Sequence, residues 1–257
     1  MNNTKLDNKM LFDFCKSVQD ATDVLSEEEL EETIEFMQQA RNKIKELEQQ
    51  RIQMETSKSI KIETLEDGKI LYFPPGLTSI DDNVFKDNQE ITKVVFNEGL
   101  KQIGEYAFSG CVNLKEVIFP QNKIVLRRSC FSDCTSLKSI TIPSVSCINP
   151  CVFENCTALE SIFLPSTISI IYSMAFKNCR SLKTVEIKAK ESPYNCTHIF
   201  QRAFENCLSL ETFEFPKNTD VDITTFINCE KLKEIYVHDT WRYYRKFDKC
   251  DAKIIKI

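Results

Sequence analysis

A phenylalanine returns down this chain at a nearly constant interval. It stands at Phe85, Phe108, Phe131, Phe153, Phe176, Phe204 and Phe226, in steps of 23, 23, 22, 23, 28 and 22 residues. A period in this range belongs to stacked solenoid turns rather than to one globular core. It also limits function, because a solenoid offers a long surface for binding rather than a catalytic cleft.

The other repeating positions say what each turn is made of. Three residues after each Phe comes Cys111, Cys134, Cys156, Cys179, Cys207 or Cys229, with Asn88 in the first repeat. Three residues further stands Ile91, Leu114, Leu137, Leu159, Leu182, Leu210 or Leu232. A short strand with apolar ends follows, such as Val117/Phe119, Ile162/Leu164 or Ile235/Val237. Pro120, Pro143, Pro165 and Pro216 close four of these strands. Proline has no N–H to continue a ladder, so it stops the strand and turns the chain. Five residues before each Phe sits Ile80, Ile103, Leu126, Ile148, Ile171, Ile199 or Val221. Each turn therefore sends about six apolar side chains inward, and only its neighbours in the stack can bury them.

Period-2 alternation places the middle residue of each strand outward when its ends point inward. That column reads Val95, Ile118, Thr141, Phe163, Glu186, Glu214 and Tyr236. Val95, Ile118 and Phe163 are expected to be exposed and near one another, and contiguous exposed apolar residues mark interaction surfaces. This column is the candidate partner-binding site.

The string I-x-x-x-A-F-x-x-C-x-x-L-x-x-I-x-I-P, repeated seven times over residues 77–237, resembles the BspA-like (Treponema-type) leucine-rich repeat. The resemblance implies a leucine-rich-repeat right-handed parallel β-solenoid, horseshoe-like, serving in adhesion and protein recognition. The family is largely secreted or surface-bound, which makes a surface adhesin the alternative to a cytoplasmic interaction module.

The remaining segments read as additions to the solenoid. Residues 1–58 are expected to be an N-terminal α-helical segment, with helices over 4–20 and 26–56. Leu6, Met10, Phe14 and Val18 share one face of the first, and Ser26 with Glu29 forms a capping box for the second. Two arrangements stand, a helical hairpin or a coiled-coil arm joining a homodimer. Fewer than three clean heptads, with Arg41 in the seam, favour the hairpin. Residues 59–257 form the repeat domain. Within it, 59–76 is a capping hairpin turning at Asp67-Gly68, 77–237 holds the seven repeats, and 238–257 is a C-terminal cap. The 28-residue step comes from an insertion over 188–198.

Charge and cysteine content exclude several classes. Residues 1–59 carry 8 Lys+Arg against 13 Asp+Glu and the remainder 25 against 25, so no basic stripe is present for nucleic acid. No stretch is long and apolar enough to span a membrane, and the first residues lack the apolar region of a signal peptide. The chain reads as cytoplasmic unless a leader has been removed. Six of the 12 cysteines fill one interior slot, where Cys acts as a small buried hydrophobe with a weak S–H donor. The Cys130/Cys134, Cys147/Cys151 and Cys196/His198 pairs have tolerable zinc spacing, but the repeat register already explains Cys134 and much of Cys130. No metal and no cofactor are expected. With only His198 and His238 and no Ser/His/Asp order or phosphate loop, no enzyme is expected either.

Overall fold

Short strands rich in β-branched residues cannot bury their apolar ends alone, so they pair turn upon turn. The structure is a computed structural model that describes residues 38–39, 41–42, 60–142, 144–187, 197–238 and 247–257. The chain divides into two compact units, 1–56 and 57–257. In the first, Gln38, Gln39, Arg41 and Asn42 are helical and exposed, and the rest of the helices expected over 4–20 and 26–56 lies outside the described residues.

The second unit is a parallel β-solenoid of about seven turns. It begins with an antiparallel hairpin, β1 (Lys61–Leu65) and β2 (Gly68–Tyr72), in which Leu65 pairs with Gly68. Gly68 has φ +141°, and a Cβ there would run into Thr92 and the Glu90 carbonyl. Each turn then contributes a two- or three-residue strand and a front strand. The short strands are β3 (Ser79–Ile80), β5 (Gln102–Ile103), β7 (Val125–Leu126), β9 (Cys147–Ile148), β11 (Ile170–Ile171), β13 (Thr197–Ile199) and β15 (Thr219–Val221). The front strands are β4 (Ile91–Val95), β6 (Glu116–Ile118), β8 (Ser139–Thr141), β10 (Ser161–Leu164), β12 (Thr184–Ile187), β14 (Thr212–Glu214) and β16 (Glu234–Val237). A last strand, β17 (Lys253–Lys256), pairs in parallel with β16. Residues 239–246 of the C-terminal cap and 188–196 of the insertion lie outside the described residues.

The Phe column is the axis of the core. Six consecutive ring pairs from Phe85 to Phe226 lie 5.1–6.0 Å apart with planes within 5–18° of parallel. Such stacks add about 0.5–1.5 kcal/mol per pair beyond the area they bury. Phe108, Phe131, Phe153, Phe176, Phe204 and Phe226 are fully buried. Phe85, in the first turn, has a neighbour on one side of the column only and is half-buried.

The recurrent cysteine has a hydrogen-bonding role. Each thiol from Cys111 to Cys229 donates to the carbonyl of the Phe in the preceding turn, at 3.0–3.3 Å. A small side chain with a weak donor fits a slot that is apolar except for one carbonyl oxygen. Burial pushes the Cys156 thiol up to about 12, and those of Cys134, Cys179 and Cys207 well above the usual thiol range. The first turn has no Phe before it, and there Asn88 instead accepts from the N–H groups of Glu90 and Ile91.

A second polar column runs beside it. Two residues after each Phe the backbone is left-handed, with φ of 58–73° at Asp87, Gly110, Asp133, Asn155, Asn178, Asn206 and Asn228. These are the residue types that tolerate this conformation. Their side chains form a ladder: Asn155 donates to Asp133, Asn178 to Asn155, Asn206 to Asn178 and Asn228 to Asn206, at 2.7–2.9 Å. At Gly110 a Cβ would collide with the Asp87 carboxylate, so the ladder starts one turn later.

Candidate protein-binding face

The front strands carry the outward column in register. Val95 pairs with Ile118, Thr141 with Phe163, Phe163 with Glu186, and Glu214 with Tyr236. Ile118 and Phe163 are 40% and 44% exposed, although both are large and apolar. Thr141, Glu186 and Glu214 are also exposed. Val95 and Tyr236 are half-buried, so the apolar patch expected to include Val95 is narrower than alternation implies. The reason is the caps. Tyr72 lies in register beside Val95 and Ile255 beside Tyr236, and both cap strands add side chains to the column at its ends.

The front sheet is not continuous. Strands β2, β4 and β6 pair, β8, β10 and β12 pair, and β14, β16 and β17 pair. No strand pairing joins β6 to β8 among the described residues. Across that interruption lies a groove of about 650 Å³. It is lined by the outward residues Ile118, Thr141 and Phe163, by Phe119, Pro120 and Pro165, and by the polar turn residues Gln121, Ser144, Ser166 and Thr167. Three of the seven column residues line this groove, whereas Glu186, Glu214 and Tyr236 continue the column beyond it.

Charge divides the face. At its N-terminal end the carboxylates are neutralised: Glu90 by Lys69 at 2.7 Å and Glu116 by Lys93 at 2.8 Å. Beyond the groove, Glu186 has no ion-pair partner among the described residues, and Glu214 has only His238, at 4.0 Å. His198 is elsewhere, on β13, with Nδ1 3.4 Å from an Asp220 carboxylate oxygen. The two histidines are therefore not brought together. Among the described residues no group of three or more His, Cys, Asp or Glu could hold a metal ion, and no helix is long and apolar enough to cross a membrane.

Sequence reasoning reached the column but missed the groove and the break in pairing. It also passed over the ladder residues from Asp133 to Asn228, whose signal, Asn or Asp two residues after every Phe except Phe108, was present in the repeat.

Comparison with known proteins places this architecture. The family model described as "BspA type Leucine rich repeat region (6 copies)" matches residues 58–183 and 124–254. Among solved structures, the leucine-rich repeat protein of T. pallidum is 24% identical, with a TM-score of 0.54, over 68% of this chain and 89% of that one. A leucine-rich cell surface protein of Faecalibacterium prausnitzii is 16% identical, with a TM-score of 0.34, over 72% of this chain and 88% of that one. No curated protein matches the chain.

Proposed function

The chain belongs to the BspA-type leucine-rich-repeat family. From that premise we propose that it is a non-enzymatic interaction module that takes a partner protein on its front strand face, seated on the groove across β6, β8 and β10. One observation carries this reading. Ile118 and Phe163, each about two-fifths exposed, share a groove with Thr141, whereas their strand neighbours Val117, Ile140, Ile162 and Leu164 are buried in the core. Two large apolar side chains left partly in water within one groove support a contact there, since clustered exposed apolar residues mark interaction surfaces.

The test is site-specific photo-crosslinking in the full chain. A benzophenone amino acid at position 141 should capture a partner protein from the native cell, and Phe163→Glu should abolish that capture. The same probe at Val84, exposed in the first turn away from the strands, should capture nothing comparable. Capture from position 84 but not from 141 would assign the contact to another face.

A further inference from the structure

We infer that the segment recognised on this face is an extended peptide stretch bearing an apolar, preferably aromatic, anchor with a lysine or arginine two or three residues away. The inference rests on the front-face reading above and adds the chemistry of the partner. The anchor follows from the groove, whose lining includes Ile118, Phe163, Pro120 and Pro165. The cation follows from what lies next to it. Glu186 stands directly opposite Phe163 on the paired strand, and Glu214 follows on the next turn. Both are exposed, and neither has a lysine or arginine partner among the described residues, whereas Glu90, Glu116 and Glu160 have lysines at 2.7–2.9 Å.

The spacing follows from strand geometry. Adjacent paired strands are about 4.8 Å apart, so Glu186 lies roughly one such step from Phe163, and Glu214 lies on the following turn, across a second interruption in the pairing. An extended segment running across the strands advances about 3.3 Å per residue and covers roughly seven to ten ångströms in two or three residues. A cation on that segment would meet exposed carboxylates at the surface, where the attraction is screened by salt. The apolar contact would be largely insensitive to salt.

A phage-displayed library of random ten-residue peptides, panned against the full chain, tests this directly. Selected peptides should share an aromatic or aliphatic anchor with Lys or Arg two or three positions away. Glu186→Gln/Glu214→Gln should bind a selected peptide about tenfold more weakly at low salt, with the difference shrinking as salt rises. Repeating the panning on that variant should return the anchor without the basic preference. If the wild-type chain selects anchored peptides with no enrichment of Lys or Arg, the cation inference is overturned while the front-face reading stands. If selected peptides bind Phe163→Glu as well as wild type, the front-face reading fails. If no peptide is enriched over an unloaded surface, both fail. Both glutamates are exposed, so an unchanged melting temperature serves as the folding control.

Discussion

Over the first five turns the back of the solenoid is joined to the next turn at three backbone positions. The N–H groups two before the Phe, at the Phe and two after it donate across the gap at 2.7–3.3 Å, from Asn83 to Glu105 through Asn178 to Glu205. The front strands, which look more regular in sequence, fall into three separate sheets. The back holds its register through side chains as well as backbone: stacked rings, thiol-to-carbonyl bonds and the asparagine ladder each repeat turn by turn. The front needs only its inward residues for stability. Its outward residues vary from Val95 to Tyr236 without a common chemistry, and among the described residues its pairing lapses between β6 and β8, where the groove lies, and again between β12 and β14. Stability is thus written on the back of each turn, and the proposed contact surface on the front.

The largest expected effect is at the back. Phe153 has a ring on each side, at 6.0 and 5.5 Å, and is fully buried. Phe153→Ala should cost about 3–5 kcal/mol in chemical denaturation, through lost transfer energy and the cavity left behind. Phe85→Ala should cost about half that or less, because its ring is only partly buried and stacks on one side of the column alone. Equal losses would mean that the terminal turn is covered in solution and that the column has no weak end.

The thiol column gives a pH-dependent version of the same test. Cys156 is raised to about 12 from an ordinary 9.0, with burial as the main cause. Below pH 9 the thiol is protonated in both folded and unfolded chains and contributes no pH dependence. Above it the unfolded chain loses the proton while the folded one keeps it, so stability falls as pH rises toward 12. Each such thiol should contribute about 1.4 kcal/mol per pH unit to that loss. Denaturation midpoints between pH 8 and 11 should show a steep alkaline decline, and Cys156→Ala should make it shallower. An unchanged slope in that variant would show that the Cys156 thiol is not the titrating group.

Asn178 tests the ladder. It donates to Asn155 and accepts from Asn206 while holding φ 60°. Asn178→Ala loses both bonds and adds backbone strain, a cost of about 1–3 kcal/mol. Asn178→Gly loses the bonds but relieves the strain, so it should be the milder of the two by about 1 kcal/mol. A glycine variant as damaged as the alanine one would assign the whole effect to the side-chain ladder.

How much of this could be read from sequence differs between the two sides for a physical reason. The Phe, Cys and Leu positions repeat in identity because each faces the same neighbours in every turn, so the period exposes them at once. The left-handed residues two before the Phe do not. Asn83, Tyr106, Ser129, Cys151, Met174 and Arg202 share a conformation with positive φ but no side-chain chemistry, because neighbouring turns impose that conformation. On the front, alternation correctly set Phe163 outward and Ile162 inward. It could not show that Tyr72 and Ile255 extend the column, because those residues belong to caps outside the repeat. Nor could it show the gap between β6 and β8, whose repeats are as regular in length as those that pair.

The smallest expected effect on stability, and the sharpest test of the separation, lies at two adjacent residues. Ile162 is 3% exposed and Phe163 is 44% exposed, on one strand. Ile162→Glu places a charge in the core without a partner and should unfold the solenoid. Phe163→Glu places the same charge in water and should change stability by no more than about 0.5 kcal/mol. Any partner captured at position 141 should nevertheless be lost, because the new carboxylate would be buried unpaired at the contact. Thermal melts of the two variants beside wild type, followed by the crosslinking assay on the folded one, check both halves. If Phe163→Glu itself unfolds the chain, Phe163 is already covered in the free protein. The front face would then be part of the scaffold, and the division between a stabilising back and a recognising front would not hold.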